Sequence, residues 1–185
     1  SMKELAKQAD GFITFSAYYR DRMAELLEVD PEKFHLTPLG IETGGYTEVY
    51  EARKKRERAN VIGYFARICP EKGFDLLVSA FLRLAEQNPD CHLHVGGWLS
   101  EKDREFLAKQ TKRIEDAGLS DRFVYKGSPD HDGKLRFFEE LDVFCVPARF
   151  VEPKGLYLLE AKICGIPIVA PDKGAFPEMV KASGG

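Results

Sequence analysis

Between residues 60 and 181 short apolar runs alternate with amphipathic stretches, and this alternation limits the fold more than any other property of the chain. Residues 61–66, 91–95, 122–126, 143–146 and 166–170 read as strands, brief and rich in Val, Ile, Phe and Tyr. Between and after them, residues 71–86, 101–117, 132–141, 155–164 and 176–181 read as helices. In the first of these, Phe74, Leu77, Val78, Phe81 and Leu84 repeat at helical spacing. Strand–helix–strand units cannot be closed by hairpins, so the pattern predicts a Rossmann-like α/β domain with a parallel sheet and helices on both faces. Ligands of such sheets lie beyond the carboxyl ends of the strands, which singles out the loops after residues 66, 95, 126, 146 and 170.

The segment before this region is organised differently. Residues 11–15 form a short strand, Ser16 is placed to cap a helix over residues 17–27, and residues 34–38 are extended because Pro38 disfavours helix before it. Residues 41–59 lack apolar periodicity and turn strongly charged, which is the pattern of a linker. Within them the run Arg53-Lys54-Lys55-Arg56-Glu57-Arg58 reads as a solvated surface stretch, with an anion or lipid contact as the alternative. The expected division is therefore residues 1–40, a linker at 41–59, and a main domain from 60 to 185. Ser1-Met2 and the loop-like Ala182-Ser183-Gly184-Gly185 read as chosen ends of a piece cut from a longer chain.

Charge and cysteine content exclude several classes. With 27 basic and 30 acidic residues the net charge is −3, so neither nucleic acid nor an anionic membrane is expected as the main partner. No apolar run approaches the ~20 residues of a membrane span. Cys69, Cys91, Cys145 and Cys164 form no CxxC pair, which points away from zinc and from a disulfide framework and towards a reducing, cytoplasmic setting.

Two loops carry residues suited to a nucleotide diphosphate. After the first regular strand comes Ala66-Arg67-Ile68-Cys69-Pro70-Glu71-Lys72-Gly73. A guanidinium and an ammonium at a strand end and a helix start would clamp a diphosphate, although ordinary surface charges share that spacing. The second element is Glu152-Pro153-Lys154-Gly155-Leu156-Tyr157-Leu158-Leu159-Glu160-Ala161. Gly155 to Glu160 spans about 7–8 Å along a helix, so the two carboxylates can address different ends of an extended ligand. Free amides near Gly155 and Leu156 can meet an anion between them. Surface acids again are the bland reading, but Glu160 sits among Leu156, Leu158, Leu159 and Ala161, where an unpaired carboxylate is costly.

Arg67 with Lys72-Gly73, Glu152 seven residues before Glu160-Ala161, Gly165-Ile166-Pro167-Ile168-Val169-Ala170, and Gly174-Ala175-Phe176-Pro177-Glu178 occur in that order. Together they resemble the group 1 glycosyltransferases of the GT-B fold, chiefly the C-terminal, donor-binding domain. Residues 10–40 resemble the end of the preceding acceptor-side domain. The resemblance implies retaining transfer of a hexose from a nucleotide-diphosphate sugar (UDP, GDP or ADP undecided), generally without a metal or other cofactor. Arg67 and Lys72 would grip the diphosphate and stabilise the leaving nucleotide. Glu152 would lie by the donor sugar, Gly155 and Leu156 would donate backbone N–H groups, and Glu160 would hold the ribose. Lys126 and Gly127 would line the nucleobase. An acceptor (saccharide, lipid or small molecule) would be held mainly by the N-terminal domain, largely absent here, so the isolated piece is expected to be inactive. The whole enzyme would be cytoplasmic, with peripheral membrane attachment left open. A GT-B sugar-nucleotide epimerase and a non-catalytic nucleotide-binding module are the rival readings.

The chain departs from the family pattern twice. Lys154 stands where an aromatic residue is common, facing either the donor or solvent, and Gly96-Gly97-Trp98 replaces Gly-x-Gly. Asp130-His131-Asp132 matches a metal-binding Asp-x-Asp but precedes a helix, where acids are ordinary caps. His92 and His94 share one strand face without a third ligand nearby, and Trp98, Tyr18 and Tyr19 read as packing residues.

Overall fold

A computed structural model describes residues 1–181, and the expected loop at 182–185 lies outside the described residues. In chain order the elements are α1 (Met2–Gln8), β1 (Phe12–Thr14), α2 (Ala17–Leu27), β2 (Phe34–Leu36), α3 (Tyr46–Arg53), β3 (Val61–Phe65), α4 (Phe74–Gln87) and β4 (His92–Gly96). They continue with α5 (Arg104–Asp116), β5 (Phe123–Tyr125), α6 (His131–Glu140), β6 (Val143–Cys145), α7 (Leu156–Ile163), β7 (Ile168–Val169) and α8 (Phe176–Lys181). They fall into two compact units, one of Ser1–Ile41, Val151–Leu156 and the segment from Asp172, the other of Glu42–Phe150 and Tyr157–Pro171.

In the first unit β1 and β2 pair in parallel, Phe12 opposite Phe34, with their rings stacked at 4.7 Å. Ala6, Ala24, Leu27 and Phe34 are its buried centre, with Phe12, Met23 and Val29 packed against it. Ser16 caps α2 as expected, its side chain accepting from the Tyr19 amide at 3.2 Å. The next two amides, Ala17 and Tyr18, donate to the carboxylate of Glu178 in α8 at 2.7 and 2.8 Å.

The second unit holds a five-stranded, all-parallel sheet of order β5-β4-β3-β6-β7. From β3 the chain moves outward through β4 to β5, then returns to the other side of β3 for β6 and β7. Right-handed crossovers in opposite directions put helices on opposite faces, and the reversal between β3 and β6 leaves a crevice at their carboxyl ends. This is the expected Rossmann-like architecture. β3 is central and reads as a continuous buried run, Val61 to Tyr64. In α4 the buried stripe is Phe74, Leu77, Val78, Phe81 and Ala85, whereas Leu84, assigned above to the apolar face, is 42% exposed.

Besides smaller shifts, such as β7 at 168–169 instead of 166–170 and α5 beginning at Arg104 instead of Glu101, two departures from expectation stand out. The first regular helix does not begin at Glu71: Pro70–Lys72 is a 3-10 turn, Gly73 takes a left-handed φ of 72°, and α4 starts at Phe74. Residues 46–53, read as part of a linker, form α3. Only Tyr46 and Val49 of α3 are buried, too few apolar positions to show a period. The helix is held by its neighbours instead, with Tyr46 edge-on to Phe138 of α6 and Gly45 against Leu135.

Candidate functional site

The β3 and β6 loops meet at the strand reversal. At Gly73 a Cβ would stand 2.0 Å from the Pro147 carbonyl oxygen, so close approach and the left-handed φ both call for glycine. Arg149 joins the two loops from the other side. Its amide donates to the Glu71 carbonyl at 2.8 Å, and Nη1 donates to the Pro70 carbonyl at 2.7 Å. Nη1 and Nη2 also make a fork on the Asp75 carboxylate at 2.6 Å each. That fork holds the Asp75 carboxyl below its ordinary pKa. In this braced loop the Lys72 ammonium lies 4.6 Å from the centre of the Phe150 ring and 4.9 Å from that of Tyr157. Arg67 is exposed in the same loop, whose course is fixed by the Tyr64 hydroxyl donating to the Arg67 carbonyl at 2.9 Å.

The next strand ends are stitched by backbone bonds. Ala66 N–H donates to Gly96 at 3.2 Å, Ile68 N–H to Trp98 at 2.9 Å and Gly97 N–H to Gly127 at 2.8 Å. A Cβ at Gly97 would sit 1.9 Å from the Ala66 carbonyl, which explains glycine in the middle of Gly96-Gly97-Trp98. Trp98 corrects an expectation: it is 57% exposed rather than packed.

Glu160 is held in the second unit through one of its two oxygens. Its Oε1 accepts from the Tyr46 hydroxyl at 3.0 Å and pairs with the Lys134 ammonium, and no described residue donates to Oε2. Burial, and then the negative charge of Glu160, push the Tyr46 phenol well above its usual pKa. Lys134 also lies 5.4 Å over the Phe65 ring at the end of β3. Sequence reasoning recognised the need of a partner for Glu160 but named none. Tyr46 lies in the supposed linker, and nothing local links Lys134 to a residue 26 positions away.

Lys126 and Gly127 follow β5. Lys126 donates to Glu140 at 3.2 Å, and Glu140 also meets His94 Nδ1 at 2.8 Å. Burial lowers the His94 pKa against the opposing pull of Glu140. Lys126, Pro129, Gly133, Arg136, Phe137 and Glu140 line a cleft of about 210 Å³. Its rim includes the start of α6, where Asp130 accepts the Gly133 amide at 2.8 Å as the expected cap.

Glu152, Gly155 and Leu156 belong to the first unit. Glu152 is 6% exposed, and its carbonyl accepts from the Ala175 amide at 3.1 Å. Gly155 takes φ 57°, and what a Cβ there would meet among the described residues is the Phe176 ring, at 2.9 Å. Leu156 is 41% exposed. Lys154 is exposed, in keeping with the solvent-facing reading, and its ammonium lies 4.9 Å over the Phe15 ring. Glu178 had only a motif match in the sequence; its carboxylate holds the first amides of α2.

A parallel sheet with a glycine-tight, cationic loop at its strand reversal defines the class of Rossmann-like ligand-binding domains. The sequence pattern of the family described as "Glycosyl transferases group 1" matches residues 47–184, and the chain belongs to that family. It is 34% identical over 134 residues to the lipopolysaccharide core biosynthesis mannosyltransferase LpsB of Rhizobium meliloti, covering 72% of this chain and 37% of that protein. It is 28% identical over 192 residues to a GDP-mannose-dependent alpha-(1-6)-phosphatidylinositol monomannoside mannosyltransferase of Mycolicibacterium smegmatis, covering 97% of this chain and 49% of that protein. The chain thus spans half or less of these relatives. Among solved structures, Anabaena Alr3699/HepE in complex with UDP and glucose shares the fold at a TM-score of 0.77 and 22% identity, over 93% of this chain and 47% of that one.

Proposed function

We propose that the chain binds a nucleotide-diphosphate sugar along the carboxyl edge of its five-stranded sheet, as the donor half of an enzyme that transfers a hexose with retention. The observation that carries this reading is the braced loop at the β3–β6 reversal, which presents Arg67 and Lys72 on one short turn. Two cations there attract a diphosphate and stabilise the charge that grows on it as the glycosidic bond breaks. Glu160, held by Tyr46 and Lys134 through one oxygen, keeps Oε2 for ribose hydroxyls. Lys126 and the backbone at Gly127 stand beside the base, next to the cleft lined by Pro129 and Arg136. For Glu152, Gly155 and Leu156 the assignment to the donor sugar and its phosphate rests on their place in the family motif. The acceptor is assigned to a second domain of the whole enzyme. Relatives named for GDP-mannose and neighbours holding UDP point to different bases, so the base is left to experiment.

Calorimetric titration with UDP, GDP and ADP tests the reading, repeated for Arg67→Ala and Glu160→Gln. Binding of one nucleotide is expected, weakened about tenfold or more by each substitution, since each removes a charge-assisted hydrogen bond of ~1.5–3 kcal/mol. A folded chain that binds none of the three nucleotides would falsify it.

A further inference from the structure

The amino edge of the sheet carries a second charged feature, which the donor reading does not use. Tyr50, Arg53, Lys54, Arg56, Arg58, Asp142, Cys164 and Gly165 line a crevice of about 280 Å³, far larger than the ~30 Å³ share of one water. It lies where the chain enters β3, β6 and β7. The donor loops leave the other end of these strands, about 16 Å away for a five-residue strand.

Asp142, the carboxylate that lines the crevice, is already engaged, as is Glu51 beside it. Asp142 Oδ2 accepts the amides of Ala59 and Val61 at 3.0 Å each, and Oδ1 accepts Arg56 Nη2 at 2.7 Å. Glu51 pairs with Lys54 at 2.9 Å. Part of the positive charge has a structural use: Arg53 donates to the carbonyls of Leu141 and Cys164, and Arg56 to that of Leu141, at the ends of α6 and α7. The rest has none. Arg56 Nε–H is buried without an acceptor among the described residues, which is costly for a guanidinium. Arg53 Nη2 makes none of these bonds, and Arg58 extends the positive lining. The mutual repulsion shows at Arg53, whose pKa is lowered by burial and then by Arg56.

We propose that this crevice is a phosphate-binding site, separate from the donor site, in which a phosphate monoester or inorganic phosphate accepts from Arg53, Arg56 and Arg58 with Lys54 at its rim. A guanidinium cluster with donors left over suits a tetrahedral dianion better than a carboxylate, because it can satisfy several forks at once.

The test follows the Arg56 Nε–H resonance and the amides of residues 53–59 by NMR while inorganic phosphate is added against chloride at matched ionic strength. Sedimentation with phosphatidylcholine vesicles, with and without phosphatidic acid, runs in parallel. The comparison variant is Lys54→Gln/Arg58→Gln, which leaves the helix-end bonds of Arg53 and Arg56 intact. A saturable shift that weakens about tenfold or more in this variant supports a free-phosphate site. Phosphatidic-acid-dependent sedimentation lost in the variant, without that shift, supports the same site with a lipid headgroup as the source. Nucleotide binding at Arg67 and Lys72 is expected to be unchanged in the variant. Shifts that never saturate and are identical in the variant, with no vesicle binding, overturn the proposal.

Discussion

Gly73 and Arg149 act on the same seam, one by what it lacks and the other by what it reaches. With φ at 72° and the Pro147 carbonyl 2.0 Å from any added Cβ, Gly73→Ala should cost about 2 kcal/mol or more in urea unfolding. It should also weaken nucleotide binding by displacing Lys72. Unchanged stability would show that the β6 loop yields easily. The Glu160 cluster makes a different prediction. Lys134→Met leaves a largely buried carboxylate with Tyr46 as its remaining donor, and should destabilise by about 1–3 kcal/mol. Adding Glu160→Gln to Lys134→Met should recover part of that loss in a double-mutant cycle. If the two losses simply add, the pair contributes nothing by its contact.

At the scale of elements, the start of α2 is held from far along the chain. Ser16 takes the Tyr19 amide and Glu178 takes those of Ala17 and Tyr18, so three of the first helical donors have side-chain partners. Glu178→Ala is expected to cost about 1–2 kcal/mol and to speed hydrogen exchange at Ala17 and Tyr18 while leaving Tyr19 slow. Equal acceleration at all three would mean that α2 melts as a whole. α3 illustrates the converse case. Its N-cap is Gly45, without a side-chain bond, and its stability comes from contact with α6 and from Arg53, not from local signals.

At the scale of the molecule, acidity and thiol chemistry report on burial. His94 has its folded pKa pulled below the ordinary ~6.5 by burial. On acidification the unfolded chain therefore takes up that proton first, and stability falls as pH drops below that value. Denaturant midpoints measured from pH 7.5 to 5.5 should decline, and His94→Gln should flatten the decline. A rise on acidification would mean that the Glu140 contact outweighs burial. Burial also pushes the Cys145 thiol up to about 11 and the Cys164 thiol up to about 12. Cys69, Cys91 and Cys164 are buried and Cys145 is half-buried, so the three buried thiols should react with a thiol reagent at pH 8 only as fast as the chain opens. Prompt labelling of two or more would contradict this. Among the described residues no helix is long and apolar enough to cross a membrane.

The parallel sheet was legible from periodicity, because strand and helix periods are local and β3 and β4 fall within one residue of the expected bounds. Arg67, Lys72, Glu152 and Glu160 were singled out by the order of the family motifs, and Glu160 also because a carboxylate stands out in an apolar helix. What only the tertiary structure decided is which distant groups complete those residues. Tyr46 and Lys134 reach Glu160, Arg149 clamps Pro70 and Asp75, and Glu178 caps α2 across separations that no local pattern encodes. Gly73 looked like part of a helix until the Pro147 carbonyl supplied the reason for its left-handed turn. Local propensity is written along the chain, whereas satisfaction of a buried charge depends on which elements fold against it.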